Sequence, residues 1–126
     1  MFRMTDVHAG YGATPILFGV SLEVRAGEAV ALLGRNGMGK TTLMKTAMGF
    51  LKPRRGTIEL NGVDLTRRAP HEIARLGVTV LLVEQNARVA LSVCDRGYIM
   101  EKGAIVFEAS SRELRESPVT REKLGV

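Results

Sequence analysis

The sequence predicts an α/β fold with a β-rich N-terminal region, and three observations support this class. Two runs, Ala29–Leu33 and Val78–Val83, are continuously apolar, as expected of strands that are buried on both faces of a parallel sheet. Helical patterns alternate with strand-like runs after Gly27, whereas the residues before it contain only strand-like runs and turns. The composition, 45% hydrophobic and 25% charged over 126 residues, is that of a globular protein. Because a doubly wound sheet usually has more than two fully buried strands, we expect a reduced sheet.

The N-terminal region predicts two strands joined by a turn. Met1–His8 reads as the first strand and Ala9–Gly12 as the turn. The second strand, Phe18–Val24, alternates apolar and polar or small residues with a period of two. We therefore expect Phe18 to lie on the buried face of this half-buried antiparallel strand, together with Val20, Leu22 and Val24.

A helix and a hairpin are predicted after the strand Ala29–Leu33. Apolar residues recur at helical spacing between Leu43 and Leu51, and Pro53 is expected to end that helix. Thr57–Leu60 is strand-like, and the Asn61-Gly62 pair that follows is a hairpin turn signal.

The remaining elements are short. Pro70 suits the first position of a short helix and Gly77 its end. Val78–Val83 follows as the second apolar strand, and Ala87–Cys94 reads as a helix. Two final predictions are a β-hairpin, in which Gly97–Met100 and Ala104–Phe107 flank the turn at 101–103, and a capping box at Ser110–Glu113 that opens a C-terminal helix.

Composition excludes several classes of protein. The single cysteine, Cys94, excludes an internal disulfide and a cysteine-based zinc cluster. The longest apolar run, Leu76–Val83, is too short to span a bilayer, and residues 1–6 lack a signal-peptide pattern. We therefore expect a cytoplasmic chain that does not insert into a membrane directly.

The net charge of +5 comes from an excess of basic residues between Lys40 and Arg75. Such a segment raises the question of nucleic-acid binding. However, its one aromatic residue, Phe50, offers little surface for base stacking. We predict no nucleic-acid partner.

The strongest signal is a glycine-rich loop that follows an apolar strand and precedes a helix. It matches G-x-x-x-x-G-K-[ST], the P-loop, in the residues Gly34, Arg35, Asn36, Gly37, Met38, Gly39, Lys40, Thr41 and Thr42. Glycines let the backbone wrap closely around phosphates, and the N–H groups and the helix N-terminus favour an anion. In this pattern Lys40 meets the β- and γ-phosphates, the hydroxyl of Thr41 is the expected Mg²⁺ ligand, and Thr42 contacts the α-phosphate.

Five segments of the chain resemble the ATP-binding cassettes of ABC transporters, and they span nearly its whole length. They are Leu33–Leu43 (Walker A), Tyr11-Gly12 (the A-loop), Arg55–Leu65 (the strand and turn after the first helix), Val80–Asn86 (the switch segment) and Asp95–Gly103 (the hairpin after it). The resemblance implies a P-loop NTPase fold with an N-terminal antiparallel β-subdomain. It also implies that the chain binds ATP and Mg²⁺, that Tyr11 stacks on adenine, and that Gln85 occupies the switch position.

Within that family, four segments are most similar to the cassettes of branched-chain amino-acid importers and of the related urea or amide importers. They are Gly34–Gly37, Lys52–Gly56, Pro70–Gly77 and Val83–Asn86. The resemblance implies that the chain works with a second ATP-binding subunit and with membrane permease subunits, which would hold it at the inner face of the plasma membrane.

Three family motifs are missing from the chain. A cassette carries a glutamine lid loop, a signature motif in a helical subdomain and a Walker B strand that ends in Asp-Glu, and none of these follows the Walker A segment here. The sequence is therefore interpreted as a single partial domain, with residues 1–77 as the N-terminal flank and residues 78–126 as the C-terminal flank. We expect it to bind ATP and to hydrolyse ATP slowly or not at all.

Alternative interpretations stay open. Val78–Glu84 is an apolar strand ending in an acid and is thus a candidate Walker B strand. A Walker B strand needs two carboxylates, because anchoring Mg²⁺ and activating water are separate tasks. Here Gln85 follows Glu84 in place of the second carboxylate. With Val78–Glu84 as Walker B, the chain would be a compact P-loop phosphate-transfer enzyme. A third interpretation is a non-functional cassette fragment. His8 and His71 lack metal-ligand spacing and are expected to be solvated.

Overall fold

The computed structural model describes residues 1–35, 37–75 and 94–124. Within these ranges the chain forms two compact units. The first contains residues 1–26 and 41–75, and the second contains residues 27–35, 37–40 and 94–124. None of the described helices is long and apolar enough to cross a membrane.

The first unit contains a four-stranded antiparallel sheet. Its strands are β1 (Phe2–Tyr11), β2 (Thr14–Val24), β4 (Arg55–Leu60) and β5 (Val63–Asp64), in the order β2-β1-β4-β5. The apolar side chains of β1, β2 and β4 form one buried layer that includes Met4, Val7, Leu17, Val20 and Ile58. The predicted N-terminal β-subdomain is therefore present, and β1 extends three residues beyond the predicted strand end at His8.

The predicted inward position of Phe18 is wrong. Its side chain is 49% exposed, whereas the neighbouring Leu17 is fully buried. The pairing of β2 with β1 changes register between Val20 and Leu17, and Gly19, which lies between them, has a φ of +73°. This β-bulge adds one residue to β2, which places Leu17 and not Phe18 on the buried face.

Helix α1 (Lys40–Ala47) is shorter than predicted. The chain leaves the helix at Gly49, whose φ is +86°, and not at Pro53. The amide of Phe50 donates to the carbonyl of Lys45 at 2.9 Å and that of Gly49 to the carbonyl of Thr46 at 3.2 Å, which is a Schellman C-cap. A glycine in the left-handed conformation therefore ends the helix before the proline is reached.

Two local predictions in the first unit are confirmed. Asn61 and Gly62 form the β4–β5 turn with φ values of +49° and +82°, as a type I′ hairpin requires. Pro70 is the first residue of α2 (Pro70–Arg75), where its missing N–H has no helical partner to lose.

The second unit contains a three-stranded mixed sheet. Strand β3 (Val30–Leu33) runs parallel to β6 (Arg96–Glu101), and β6 pairs antiparallel with β7 (Ala104–Ser110). The core beneath it contains Ala31, Leu33, Cys94, Ile99 and Leu114. The predicted buried parallel strand and the predicted hairpin are thus confirmed, and Cys94 is a core residue as expected.

Two short helices follow this sheet. Ser110 caps α3 (Ser111–Glu116): its hydroxyl accepts from the amide of Glu113 at 3.2 Å and lies 2.9 Å from the carboxylate of the same residue. The predicted helix start is confirmed. A second helix, α4 (Pro118–Leu124), follows after a break at Ser117.

Several sequence predictions fall outside the described residues. They are the strand Val78–Val83, the helix end at Gly77, residues 87–93 of the predicted helix, and the positions of Asn36, Glu84 and Gln85.

Candidate functional site

The glycine-rich loop begins where β3 ends, in tight contact with the neighbouring strand. Gly34 is buried, and a Cβ atom at this position would lie 2.8 Å from the carbonyl oxygen of Met100 in β6. No side chain fits there, so the first glycine of the pattern is required by the packing of the sheet. Gly37 and Gly39 have φ values of +82° and +103°, which L-residues with side chains rarely adopt.

Lys40 is the first residue of α1, directly after the loop. Its ammonium group donates a hydrogen bond to the carbonyl oxygen of Gly34. The side chain therefore reaches back from the start of α1 to Gly34, the first residue of the glycine pattern. Phosphate oxygens are a suitable exchange partner for this ammonium group, since the carbonyl it holds is a neutral acceptor.

Met38 ties the loop to the turn between β6 and β7. The amide of Gly103 donates to the Met38 carbonyl oxygen at 2.9 Å. The amide of the preceding residue, Lys102, points at the Met38 sulfur at 3.2 Å. The sequence pattern predicts Met38 only as a member of the loop, and nothing in it connects this residue with the hairpin.

Arg35 connects the loop to the C-terminal helix. Its guanidinium donates to the carbonyl oxygen of Glu122 in α4 at 3.1 Å. Next to it, Lys123 and Glu101 form an ion pair at 2.6 Å. The hydrogen bond from Lys123 lowers the pKa of the Glu101 carboxyl, and the same contact raises the pKa of Lys123.

The two threonines after Lys40 differ in exposure. Thr41 is exposed, so its hydroxyl is open to a cation, whereas Thr42 is 7% exposed. The Thr42 carbonyl accepts from the hydroxyl of Thr46 at 2.7 Å. The described residues contain no group of three or more His, Cys, Asp or Glu side chains placed to hold a metal ion.

Tyr11 lies at the end of β1 in the first unit and is 43% exposed. Its phenol oxygen lies 3.4 Å from the hydroxyl oxygen of Thr42, and the Lys45 ammonium lies 5.7 Å from the ring centroid. The sequence pattern predicts neither of these partners. No sequence motif marks the contact with Lys45, because this contact depends on how α1 packs beside the β1–β2 turn.

Comparison with protein families assigns the chain. The family described as "ABC transporter" matches residues 17–123, which is most of its length. The chain belongs to the ABC transporter family. The predicted family is thereby confirmed, and ATP binding and transport are the properties of that family.

Curated ABC transporter relatives are longer than this chain. The xylose/arabinose import ATP-binding protein XylG of Sulfolobus acidocaldarius is 41% identical over 81 residues, covering 64% of this chain and 32% of the relative. The ribose import ATP-binding protein RbsA of Geobacillus kaustophilus is 37% identical over 99 residues, covering 79% of this chain and 20% of the relative. The probable branched-chain amino acid transport ATP-binding protein LivF of Archaeoglobus fulgidus is 30% identical over 112 residues, covering 81% of this chain and 48% of the relative. This chain thus spans less than half the length of each.

Solved structures confirm the fold class. A nucleotide-free ATP-binding cassette from an ABC transporter superposes with a TM-score of 0.85 at 15% identity, covering 100% of this chain and 98% of that one. The ATP-binding subunit of an ABC transporter gives a TM-score of 0.75 at 19% identity, with 92% of each chain covered. The predicted cassette fold is therefore confirmed.

Proposed function

We propose that this chain binds ATP with Mg²⁺ through the loop of residues 34–42 and belongs to the ATP-binding component of an ABC importer. The observation that carries the proposal is the geometry of Lys40, which starts a helix and folds its ammonium group back over the glycine loop onto Gly34. A cation and a helix N-terminus placed beside a glycine loop suit a polyphosphate.

Each residue of the loop has a proposed role. Lys40 exchanges the Gly34 carbonyl for oxygens of the β- and γ-phosphates, and the glycines keep the backbone close to the phosphates. The exposed Thr41 hydroxyl ligates Mg²⁺, which neutralises phosphate charge when bound. Thr42 contacts the α-phosphate. The remaining positions, Arg35, Asn36 and Met38, contribute backbone.

Tyr11 is proposed to stack on adenine. Its ring is 43% exposed at the end of a strand, which leaves aromatic surface for a base. Base–aromatic stacking is worth about 1–3 kcal/mol. The match between Tyr11-Gly12 and the family's A-loop supports this role.

Impaired turnover is the second part of the proposal. We infer that residues 1–77 and 78–126 are two flanks of one cassette, because the helical region with the signature motif and the Walker B strand is absent from the sequence. A single family match that runs from residue 17 to 123 supports a common origin of both flanks. The sequence pattern offers no second carboxylate to activate the attacking water. Gln85 at the switch position does not supply one.

The proposed importer carries branched-chain amino acids. Four segment resemblances and the relative LivF favour this solute, whereas the relatives XylG and RbsA are named for sugars. The proposed partners are a second ATP-binding subunit and membrane permease subunits. These would keep the chain at the cytoplasmic face of the membrane, with no direct insertion and no nucleic-acid partner.

The central test is calorimetric titration of ATP·Mg²⁺ into the full chain and two lysine variants. Lys40→Ala is expected to weaken binding at least tenfold, the scale of a lost charge-assisted hydrogen bond of about 1.5–3 kcal/mol. Lys52→Ala is the matched control, because that ammonium group donates to the Arg68 carbonyl outside the loop. Equal affinities of the two variants would overturn the proposed site.

Phosphate release separates slow turnover from the compact-enzyme alternative. We expect no release above the Lys40→Ala background. Turnover that Glu84→Gln abolishes would identify Val78–Glu84 as a Walker B strand and contradict the proposed impairment. A chain that neither binds ATP nor shows a cooperative unfolding transition would support the non-functional fragment instead.

A further inference from the structure

The turn between β6 and β7 directs two consecutive backbone amides at one residue of the phosphate loop. Lys102 and Gly103 have φ values of +50° and +81°, so both turn residues adopt the left-handed conformation. Their N–H groups point at the sulfur and at the carbonyl oxygen of Met38, at 3.2 and 2.9 Å. Met38 lies between Gly37 and Gly39, whose φ values are +82° and +103°.

The hydrogen bond from Gly103 fixes one peptide plane of the loop. The carbonyl of Met38 and the N–H of Gly39 belong to the same planar trans peptide and point in opposite directions. Because the carbonyl faces the hairpin turn, the Gly39 N–H faces away from the hairpin. Without this constraint, a peptide next to a glycine rotates at low cost.

The start of the loop is fixed on the same hairpin. Leu33 pairs with Ile99 at the end of the parallel β3–β6 ladder, and Gly34 then packs against the Met100 carbonyl. Gly103 is itself buried, so the turn presents its amides from a packed position. Strand β6 and its turn therefore contact the loop at two points, Gly34 and Met38.

We propose that the Lys102–Gly103 turn is a positioning element for phosphate binding, which holds the Met38–Gly39 peptide so that the Gly39 N–H donates to the polyphosphate. The inference rests on the proposed nucleotide binding. Gly103 is a positioning residue, since it acts through Met38. Loss of the Gly103 N–H weakens the binding of ligands that carry a diphosphate. It leaves the binding of a nucleoside monophosphate unchanged.

The sharpest test replaces a single backbone N–H group with an oxygen atom. Cys94 is the single cysteine, so native ligation of a synthetic 94–126 peptide to a 1–93 thioester gives the full chain without a foreign residue at the junction. Replacing Gly103 with glycolic acid puts an ester where the amide was and deletes the donor to Met38. The matched control is an ester at Val106, a 44% exposed residue that the β6–β7 register skips.

The readouts are the dissociation constants of ATP, inorganic pyrophosphate and AMP, and the midpoint of thermal unfolding without ligand. The Gly103 ester is expected to weaken the binding of ATP and of pyrophosphate by about 3- to 10-fold, the scale of one backbone hydrogen bond. Its AMP affinity and its unfolding midpoint should equal those of the Val106 ester. Unchanged ATP affinity would overturn the proposal. Equal weakening by both esters would also overturn it, because the effect would then come from the hairpin in general.

A recombinant pair provides a second route. Gly62 occupies the same place in the β4–β5 turn that Gly103 occupies in the β6–β7 turn, with φ values of +82° and +81°. Alanine keeps the N–H group at either position but meets the same backbone strain, and relief of that strain at residue 103 moves the amide that donates to Met38. Gly103→Ala should therefore lower ATP affinity while Gly62→Ala leaves it unchanged; equal ATP affinities, with both variants destabilised to the same extent, contradict the proposal. If the unsubstituted ligated chain fails to bind ATP, the proposed function itself fails, so the two failures are distinguishable.

Discussion

The phenol oxygen of Tyr11 lies 3.4 Å from the hydroxyl oxygen of Thr42, so the last residue of β1 contacts the first turn of α1 directly. The same helix places the Lys45 ammonium 5.7 Å from the centroid of the Tyr11 ring. A cation at this distance is attracted to the ring face. The ring is thus held by two contacts that are both independent of a nucleotide.

Tyr11 variants separate stacking from hydrogen bonding. Tyr11→Ala is expected to weaken ATP binding by about tenfold or more, because stacking of a base on an aromatic ring contributes about 1–3 kcal/mol. Tyr11→Phe keeps the ring and is expected to bind ATP within about threefold of the wild type, since it loses only a weak hydroxyl contact of about 0.5–1.5 kcal/mol. Calorimetry with ATP and with pyrophosphate measures both.

Pyrophosphate is the control for these variants, because it has no base to stack. Its affinity should be the same in all three proteins. A Tyr11→Ala chain that loses pyrophosphate and ATP equally would show that the residue supports the fold of α1 and does not bind adenine.

Arg96 and Glu28 form the best-shielded ion pair among the described residues, with side chains 15% and 14% exposed. Two guanidinium nitrogens of Arg96 donate to the two Glu28 oxygens at 2.9 Å each, and a third donates to the Tyr98 hydroxyl at 2.7 Å. These contacts raise the pKa of Arg96 further. Arg96→Leu is expected to lower the free energy of unfolding by about 3 kcal/mol, because Glu28 loses both guanidinium hydrogen bonds while its carboxylate stays largely shielded from water.

The double variant tests the cause. Arg96→Leu combined with Glu28→Leu removes both charges and should recover much of the loss, as urea titration would show. A double variant less stable than Arg96→Leu would mean that Glu28 is stabilised by other groups and that the predicted cost does not come from the lost guanidinium hydrogen bonds.

Local sequence patterns predicted much of the fold because the physical causes are themselves local. The positive φ of Asn61-Gly62, the capping hydroxyl of Ser110 and the buried strand before the loop each depend on a few adjacent residues. The errors have causes that span strands or compete along the chain. The bulge at Gly19 depends on pairing with β1, and the alternation around Phe18 gives no sign of it. Gly49 ends α1 before Pro53, which was the stronger apparent breaker.

For the candidate site, the pattern located the loop but not its supports. The glycines and Lys40 follow from spacing, since the chemistry of a polyphosphate needs them in that order. The contact from Gly103 to Met38 joins residues that are distant in sequence through a backbone amide, which any residue except proline provides. No side-chain pattern marks such a contact, so only the fold reveals it.

The Glu101–Lys123 pair should make stability depend on pH in a defined direction. The folded chain lowers the pKa of Glu101 below its ordinary value of 4.5, so this contribution is present above that value and is lost as the pH falls through the folded pKa. The pKa of Lys123 lies above its ordinary value of 10.5, so its contribution is lost as the pH rises through that raised value. Glu101→Gln should therefore lower the unfolding midpoint near pH 7, and this difference should shrink as the pH falls below 4.5. A difference that does not shrink with falling pH or in high salt would contradict the ion-pair explanation.

Gly49 and Gly62 share a backbone conformation but not a neighbourhood, which allows the cost of strain and the cost of a clash to be separated. Their φ values are +86° and +82°, so alanine at either position meets the same unfavourable backbone, at about 1–2 kcal/mol. A Cβ at Gly62 meets nothing within 4 Å, whereas one at Gly49 would lie 2.7 Å from the Ile73 side chain and 3.0 Å from the Arg68 carbonyl. Gly62→Ala should therefore lower the free energy of unfolding only by the cost of the backbone strain.

Gly49→Ala should lose that strain and an overpacking cost of about 1–3 kcal/mol in addition, because Ile73 is 3% exposed and has little room to move. Urea unfolding of the two variants measures the difference. Adding Ile73→Val to Gly49→Ala shortens the side chain that meets the new Cβ, so it should cost less in that background than in the wild type. If the two alanine variants are equally stable, the Schellman turn relaxes around the added methyl group, and the end of α1 is set by the glycine conformation alone.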